Sequence, residues 1–263
     1  MDRFELDWQQ TADEAAAFIR ERMAAACRDA AVIGLSGGID SAVSAFLTAR
    51  ALGADTLTAF MLPYTTSSER SAADARLVAE SLGIQHEVIE ITPMVDAYFE
   101  RYPDAQRMRR ANFMARQRMA VLYDQSERLD ALVVGTGNLT EALLGYTTMW
   151  GDMACAFNPI GDLYKTQVRR LAAWLGVPEP VRTKAPTADL WQGQTDEGEL
   201  GFSYEQADHI LVRLTEDRKT VEEIAAEGFD EGVVERVQSM VHRCAFKREM
   251  PPTPELRSII PTA

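Results

Sequence analysis

The sequence predicts an α/β fold: a doubly wound parallel sheet followed by a helical C-terminal third. Three observations predict it. Short apolar runs alternate with amphipathic stretches as far as about residue 140. Two of those runs end in glycine turns that open a helix, Ser36-Gly37-Gly38 and Gly135-Thr136-Gly137. Beyond about residue 145 strand signals thin out while helical periodicity continues. Strands alternating with helices join in parallel through right-handed crossovers.

In chain order, Thr11 precedes a run in which Ala15, Phe18, Ile19, Met23 and Ala26 share a face, so a helix is predicted over 12 to 28. Residues 31 to 35 form a short apolar strand, and 41 to 52 return to helical period. Residues 56 to 62 are apolar enough for a buried strand, 68 to 82 are helical, and 86 to 91 alternate as a strand does. Helical segments over 104 to 126 lead to a buried strand at 131 to 134. Residues 145 to 163 and 183 to 203 are rich in Gly, Pro, Asp and Thr and long for structureless connections, which marks them as lids or substrate loops. Helices are expected over 165 to 175, 203 to 214, 220 to 227 and 230 to 246, before a proline-rich tail at 251 to 261. No repeat or low-complexity tract interrupts the chain, so residues 1 to 263 are expected to form one domain.

Composition narrows the function. The chain carries 27 Lys plus Arg against 40 Asp plus Glu, and 27 − 40 = −13 with histidine neutral. So acidic a protein is not expected to bind nucleic acid, because it repels phosphates unless its cations cluster. With 46% hydrophobic and 25% charged residues the chain is ordinary globular material. No run approaches the roughly 20 apolar residues of a membrane helix, and the start MDRFELDWQQ lacks a signal-peptide layout. A cytoplasmic protein without membrane contact is expected. Cys27, Cys155 and Cys244 are an odd, scattered set that fits neither a disulfide framework nor a zinc site, and all three are expected as buried small hydrophobes.

The sharpest motif is Ser36-Gly37-Gly38-Ile39-Asp40-Ser41 between the first predicted strand and its helix. Two glycines let backbone amides approach an anion, and the helix N-terminus adds unpaired N–H groups and partial positive charge. The chain contains no Walker A loop. A carboxylate inside an anion cradle repels phosphate unless a divalent cation lies between them, so Asp40 predicts Mg²⁺; as plain structure, Asp40 would be a helix cap. Glu141 follows the second glycine turn. Both turns emerge at the same carboxyl edge of a parallel sheet, where ligands bind, so Asp40 and Glu141 can share one metal. Taken alone, Glu141 is an ordinary helix N-terminal charge.

Two other classes compete for these residues. Gly34-Leu35-Ser36-Gly37-Gly38 fits the G-x-S-x-G elbow of serine hydrolases, with Ser36 as nucleophile and His86, His209 or His242 as base. A non-enzymatic nucleotide-binding module would use the same loop without turnover.

Together with Leu62-Pro63-Tyr64, the segment from Asn112 to Met119, Gly135-Thr136-Gly137-Asn138, Lys165-Thr166-Gln167-Val168, and Pro186-Thr187-Ala188-Asp189-Leu190 through Asp196-Glu197, this loop resembles the ammonia-dependent NAD synthetases of the ATP-pyrophosphatase superfamily. The similarity runs from about residue 10 to 254. It implies an adenine nucleotide alpha hydrolase-like fold and a two-step ligation. The nicotinate carboxylate of deamido-NAD attacks the α-phosphorus of ATP, releasing pyrophosphate; ammonia then displaces AMP to give NAD. It also implies ATP contacts from Gly34, Leu35, Ser36, Gly37, Gly38, Ile39, Asp40, Ser41, Thr136, Lys165 and Thr187, and Mg²⁺ on Asp40 and Glu141. Asp152 stands where ammonia approaches, although in isolation it reads equally well as a turn residue. The family forms homodimers, and the apolar face of 104 to 122 is a candidate interface or core face.

The sequence departs from the commoner family pattern near the acceptor. Where many relatives read T-K-Y-G-D-G-G-x-D, this chain has Thr148-Met149-Trp150-Gly151-Asp152-Met153-Ala154-Cys155-Ala156, and Phe246-Lys247-Arg248 replaces H-K-R. These changes match a subset with G-D-x-A-C-A. Arg116, Tyr146 and Lys247 remain as acceptor contacts, Tyr146 by stacking on the pyridine ring. Free ammonia is the expected nitrogen donor, because no segment has the size of a glutaminase domain. The alternative within the superfamily is an amidotransferase acting on a different carboxylate or carbonyl.

Overall fold

Four short strands carry the sheet: β1 (Ala30–Gly34), β2 (Leu57–Met61), β3 (Gln85–Val88) and β4 (Ala131–Val134). In the computed structural model, which describes residues 2–187 and 193–254, they are all parallel and lie in the order β3-β2-β1-β4. The chain steps outward from β1 to β3 and then returns to place β4 on the other side. The order therefore reverses beside β1, and the crevice at the carboxyl ends of β1 and β4 is where such sheets bind ligands.

Both faces of the sheet are covered. Alternate residues of β1 point opposite ways: Ala31 and Ile33 pack with Ile19 and Met23 of α1 (Trp8–Ala25), Leu47 of α2 (Ile39–Leu52) and Leu171 of α7 (Lys165–Trp174). Val32 joins Phe60 and Val133 on the other face, against Val95 and Phe99 of α4 (Thr92–Phe99) and Met114 of α5 (Arg107–Arg128). Burial on both sides explains why β1, β2 and β4 read as continuous apolar runs. α3 (Glu69–Leu82) follows β2, capped by the Ser68 hydroxyl on Ser71 N–H.

A separate cluster holds the C-terminal third. Tyr204, Ile210 and Leu211 of α10 (Tyr204–Thr215) and Val234 and Val237 of α12 (Glu231–Arg243) pack with Leu144 of α6 (Leu139–Leu144) and with Phe4. The short helices α8 (Glu179–Arg182), α9 (Asp196–Leu200) and α11 (Val221–Ala226) complete the set. No helix among the described residues is long and apolar enough to cross a membrane.

Several expectations are corrected. α1 starts at Trp8, because the Asp7 side chain caps it, and it stops at Ala25. Cys27 thus lies in the turn after the helix, with φ 53°, and is exposed. Cys155 and Cys244 are only partly buried. Cys27 sits in a turn and Cys244 at the end of α12, while Cys155 packs, half-buried, against the cluster of Val32, Phe60 and Val133. β3 is an edge strand of four exposed residues, so its alternation extends past the ladder into Ile89 and Ile91, whose N–H groups bond Met61 O and Pro63 O at 2.9 Å each. α4 was not expected; Pro93 in its first turn supplies the helical φ. The helix expected to reach 246 ends at Arg243, and Phe246 falls in a 3₁₀ turn. The loop 183 to 203 follows directly on α8 and contains α9 near its end. Within 145 to 163, Phe157 bridges to Val134, and Ala156 N–H bonds Val133 O at 2.9 Å, so this stretch runs beside β4. Ala188, Asp189, Leu190, Trp191 and Gln192, and the tail from 255, lie outside the described residues.

Candidate active site

The loop from β1 to α2 is tied together by its own hydroxyls. Gly38 N–H donates to Ser36 Oγ at 3.2 Å, Ser41 Oγ donates to Gly38 O at 3.0 Å, and Ser36 N–H reaches Ser41 Oγ at 3.3 Å. Gly38 is the N-cap of α2 and supplies no side-chain acceptor, so the first-turn N–H groups are left for a ligand. Gly37 has φ 75°, and a Cβ there would lie 2.2 Å from Ser71 O. This glycine therefore serves close packing of α3 against the loop as well as the turn.

Asp40 is not a cap. Its carboxylate points from the first turn of α2 toward α6 and α7, where Oδ2 meets Lys165 Nζ at 2.5 Å and Oδ1 accepts from Asn138 Nδ2 at 2.8 Å. Lys165 also donates to Glu141 Oε1 at 3.0 Å, and its ammonium lies 4.9 Å from the centre of the Tyr204 ring. The structure thus unites the three charged residues that the sequence placed in separate motifs. Lys165 is 2% exposed. Desolvation lowers its pKa, but Asp40 and Glu141 outweigh that and hold the ammonium charged. Burial pushes the Glu141 carboxyl up to about 7, against the pull of Lys165, because Asp40 and Asp196 add negative charge nearby.

These residues lie in a cleft of about 740 Å³ that also takes in Gly34, Leu35, Ser36, Gly38, Ile39, Ser41 and Thr136. Both predicted substrate loops line it, one through Tyr146 and Asp152 and the other through Lys184, Thr187 and Asp196. Six carboxylates (Asp40, Glu69, Glu141, Asp152, Asp196, Glu199) face five cations (Arg76, Arg118, Lys165, Lys184, Lys247) among the described lining residues. The lining side chains therefore give the cleft no net positive charge.

The acceptor candidates separate. Tyr146 OH donates to Glu199 Oε2 at 2.6 Å, and burial with that carboxylate raises its pKa. Lys247 Nζ lines the cleft while bonding Gly145 O and Thr147 O at 2.8 Å each. Asp152 accepts from Thr148 N–H at 2.7 Å; it is open to water at the cleft wall, yet crowding by protein raises its pKa. Arg116 is exposed, outside the cleft of its own chain, with its guanidinium on Met149 O at 3.2 Å. Arg118 lines the cleft instead and donates to Leu62 O at 2.9 Å. Helical period holds the signal for this: Ala111, Ala115, Arg118, Met119 and Leu122 share the cleft side of α5, and Arg116 does not. That face of α5 belongs to the cleft and to the core around Ala111 and Met114, which uses up most of the stripe noted over 104 to 122. Sequence reasoning also missed Lys184, although it stands three residues before Thr187.

The hydrolase reading fails on geometry. No histidine lines the cleft among the described residues, and Ser36 Oγ bonds Ser41 Oγ and Gly38 N–H. His209 instead packs edge-on against Phe4 with ring centres 4.9 Å apart.

Comparison with known proteins agrees with this geometry. A family model described as NAD synthase matches residues 11–251. The chain belongs to the NAD synthase family. Curated relatives include NH(3)-dependent NAD(+) synthetases of Trichlorobacter lovleyi, 55% identical over 84% of this chain and 81% of that protein, and of Fusobacterium nucleatum, 47% identical over 95% and 97%. Among solved structures, NMN synthetase from Francisella tularensis aligns with a TM-score of 0.85 at 33% identity, covering 95% of this chain and all of that one. NH3-dependent NAD synthetase from Campylobacter jejuni aligns at 0.81, also at 33% identity with the same coverage. Membership in the NAD synthase family carries the adenine nucleotide alpha hydrolase-like fold and the use of ATP.

Proposed function

We propose that this protein uses ATP to join ammonia to the nicotinate carboxylate of deamido-NAD, giving NAD, AMP and pyrophosphate. The convergence of Asp40, Lys165 and Glu141 beside an uncapped helix N-terminus carries the reading, in a chain about half identical to ammonia-dependent enzymes.

Activation forms a bond between a carboxylate oxygen and the α-phosphorus and breaks the bond from that phosphorus to the β-phosphate. The first-turn amides of α2, with Ser36 and Ser41, bind the departing pyrophosphate. Thr136 and Thr187 line the same cleft and hydrogen-bond ATP oxygens. Lys165, held charged, offers a fixed positive point beside the transferred phosphoryl group. In the second step ammonia adds to the acyl carbon, AMP leaves, and nitrogen loses a proton. Asp152, whose pKa crowding raises, is suited to accept it. Tyr146 and Lys247 hold the nicotinate end.

The donor set fits Mg²⁺. Asp40 and Glu141 offer hard oxygen ligands on either side of the Lys165 ammonium, and no group of three or more His, Cys, Asp or Glu forms a closed cage among the described residues. Two carboxylates plus substrate phosphates is a usual magnesium arrangement. Bound there, Mg²⁺ would neutralise phosphate charge that the evenly balanced cleft does not. The same reading takes the chain as one synthetase domain using free ammonia, working in the cytoplasm as a homodimer. Exposed Arg116 would then serve the acceptor site across the interface.

The test is turnover of ATP, Mg²⁺, deamido-NAD and ammonium to NAD, AMP and pyrophosphate, with glutamine a poor nitrogen source. The likeness to the Francisella NMN synthetase favours nicotinate mononucleotide as the second acceptor to compare. Turnover of the mononucleotide alone would overturn the choice of acceptor and leave the chemistry standing. Absence of pyrophosphate release with either acceptor would overturn the reading as a whole.

A further inference from the structure

We propose that Lys184 is the cation that holds the leaving pyrophosphate, an assignment that rests on the ATP-dependent reading above. That reading places the other two lysines of the cleft elsewhere: Lys165, between two carboxylates, stands beside the transferred phosphoryl group, and Lys247, on two backbone carbonyls near Tyr146, stands at the nicotinate end. Pyrophosphate released onto the loop of Ser36 to Ser41 carries more negative charge than backbone amides alone neutralise.

Lys184 stands at that loop. Its Nζ is 2.9 Å from Ser71 Oγ, 3.4 Å from Gly37 O and 3.2 Å from Asp74 Oδ2. Its side chain is 12% exposed, at a wall of the cleft shared with Ser36, Gly38 and Ser41. The segment that carries it reaches Thr187 three residues later, so one loop brings a cation and a hydroxyl to the phosphates.

The present bonds of this ammonium are poor. The contact with Gly37 O is long, and Asp74 Oδ2, although buried, makes no hydrogen bond of proper geometry. Of three donors, one is well used. Asp74 therefore holds the ammonium beside the loop while leaving donors for a phosphate oxygen. The close approach of Ser71 O to Gly37 fixes α3, and with it Asp74, against the loop. Asp74 and pyrophosphate compete for one cation.

Inhibition by inorganic pyrophosphate in the presence of Mg²⁺, with KM for ATP and for deamido-NAD, tests the assignment. Removing Lys184 alone leaves the buried Asp74 carboxylate only the distant Arg70, so the comparison is made in the D74N background, with folding checked by thermal melting. D74N is expected to bind pyrophosphate at least as tightly as the parent. K184M/D74N is expected to bind it about ten-fold more weakly than D74N, the size of one lost charge-assisted hydrogen bond. KM for ATP should rise in parallel while KM for deamido-NAD holds, a split that general disruption would not produce. K184Q/D74N provides the same comparison with a side chain that can still bond Ser71, should the methionine variant fold poorly. Pyrophosphate inhibition of the double variant within about two-fold of D74N would overturn the role of Lys184. A parent enzyme that neither consumes ATP nor is inhibited by pyrophosphate would overturn the proposed function, and this assignment with it.

Discussion

The ammonium of Lys165 lies 2.5 Å from the carboxylate of Asp40 across 125 residues of sequence, one at the start of α7 and the other in the first turn of α2. With Glu141 it forms a buried group in which one cation serves two carboxylates.

Removing that cation leaves two carboxylates in a poorly solvated site. K165M is expected to lose about 3–5 kcal/mol of stability, the usual cost of breaking a buried pair from one side, and to lose turnover. Urea denaturation measures the first and NAD formation the second. Adding E141Q should recover part of the stability and none of the turnover. Full stability in K165M would contradict the buried-pair account.

Glu141 gives a pH dependence with a definite sign. Its folded pKa of about 7 is above the ordinary 4.5, so between those values the folded protein binds more protons than the unfolded chain. Stability from this group is complete below about pH 4.5 and falls as pH rises through about 7. In EDTA, E141Q should remove that part of the slope of melting temperature against pH. Because metal ligation requires the ionised carboxylate, stabilisation by Mg²⁺ should grow over the same range.

Behind the site, Thr140 Oγ1 accepts from Lys165 N–H at 2.8 Å and donates to Asp208 Oδ1 at 2.5 Å, while Thr166 N–H donates to Asp208 Oδ2 at 2.7 Å. Thr140 and Asp208 are fully buried. D208A should cost about 2–4 kcal/mol, because it strands the Thr140 hydroxyl and the Thr166 amide without an acceptor. D208N, which keeps one acceptor oxygen, should cost about half of that. Equal melting temperatures for D208A and the parent would rule out this anchoring of α10 to α6 and α7.

Gly145 ends α6 with φ 66°, and a Cβ there would lie 2.1 Å from Cys244 Sγ. G145A should cost about 2 kcal/mol or more, combining left-handed strain with a clash against Cys244. Since Lys247 is held by Gly145 O, the same variant should raise KM for the acceptor more than KM for ATP. An unchanged acceptor KM would remove Lys247 from the acceptor site.

What was legible in the chain follows from local physics. Strands buried on both faces must be apolar throughout, so β1, β2 and β4 are legible in the sequence, as are the glycine turns that open α2 and α6 at one edge of the sheet. The exposed edge strand β3 and the eight-residue α4 were blurred because neither imposes a long period on its residues. Asp40 and Glu141 are nominated by the two glycine turns and Lys165 and Thr187 by the family resemblance, and all four line one cleft.

The tertiary structure alone decided how those charges pair. Residue types and spacing could nominate Asp40 and Glu141 as partners, but pairing between remote segments depends on helix orientation and on what lies between them. Here Lys165 lies between. The same reason separates Arg118 from Arg116 and brings Lys184 to Gly37: which face a side chain takes, and which carboxylate it meets there, is set by packing of whole elements. The sequence by itself therefore determined the buried strands and the glycine turns, because each is written in contiguous residues, and the resemblance of several separated motifs pointed to the family. The charge balance of the cleft, six carboxylates against five cations, was decided only when distant residues were folded around one space.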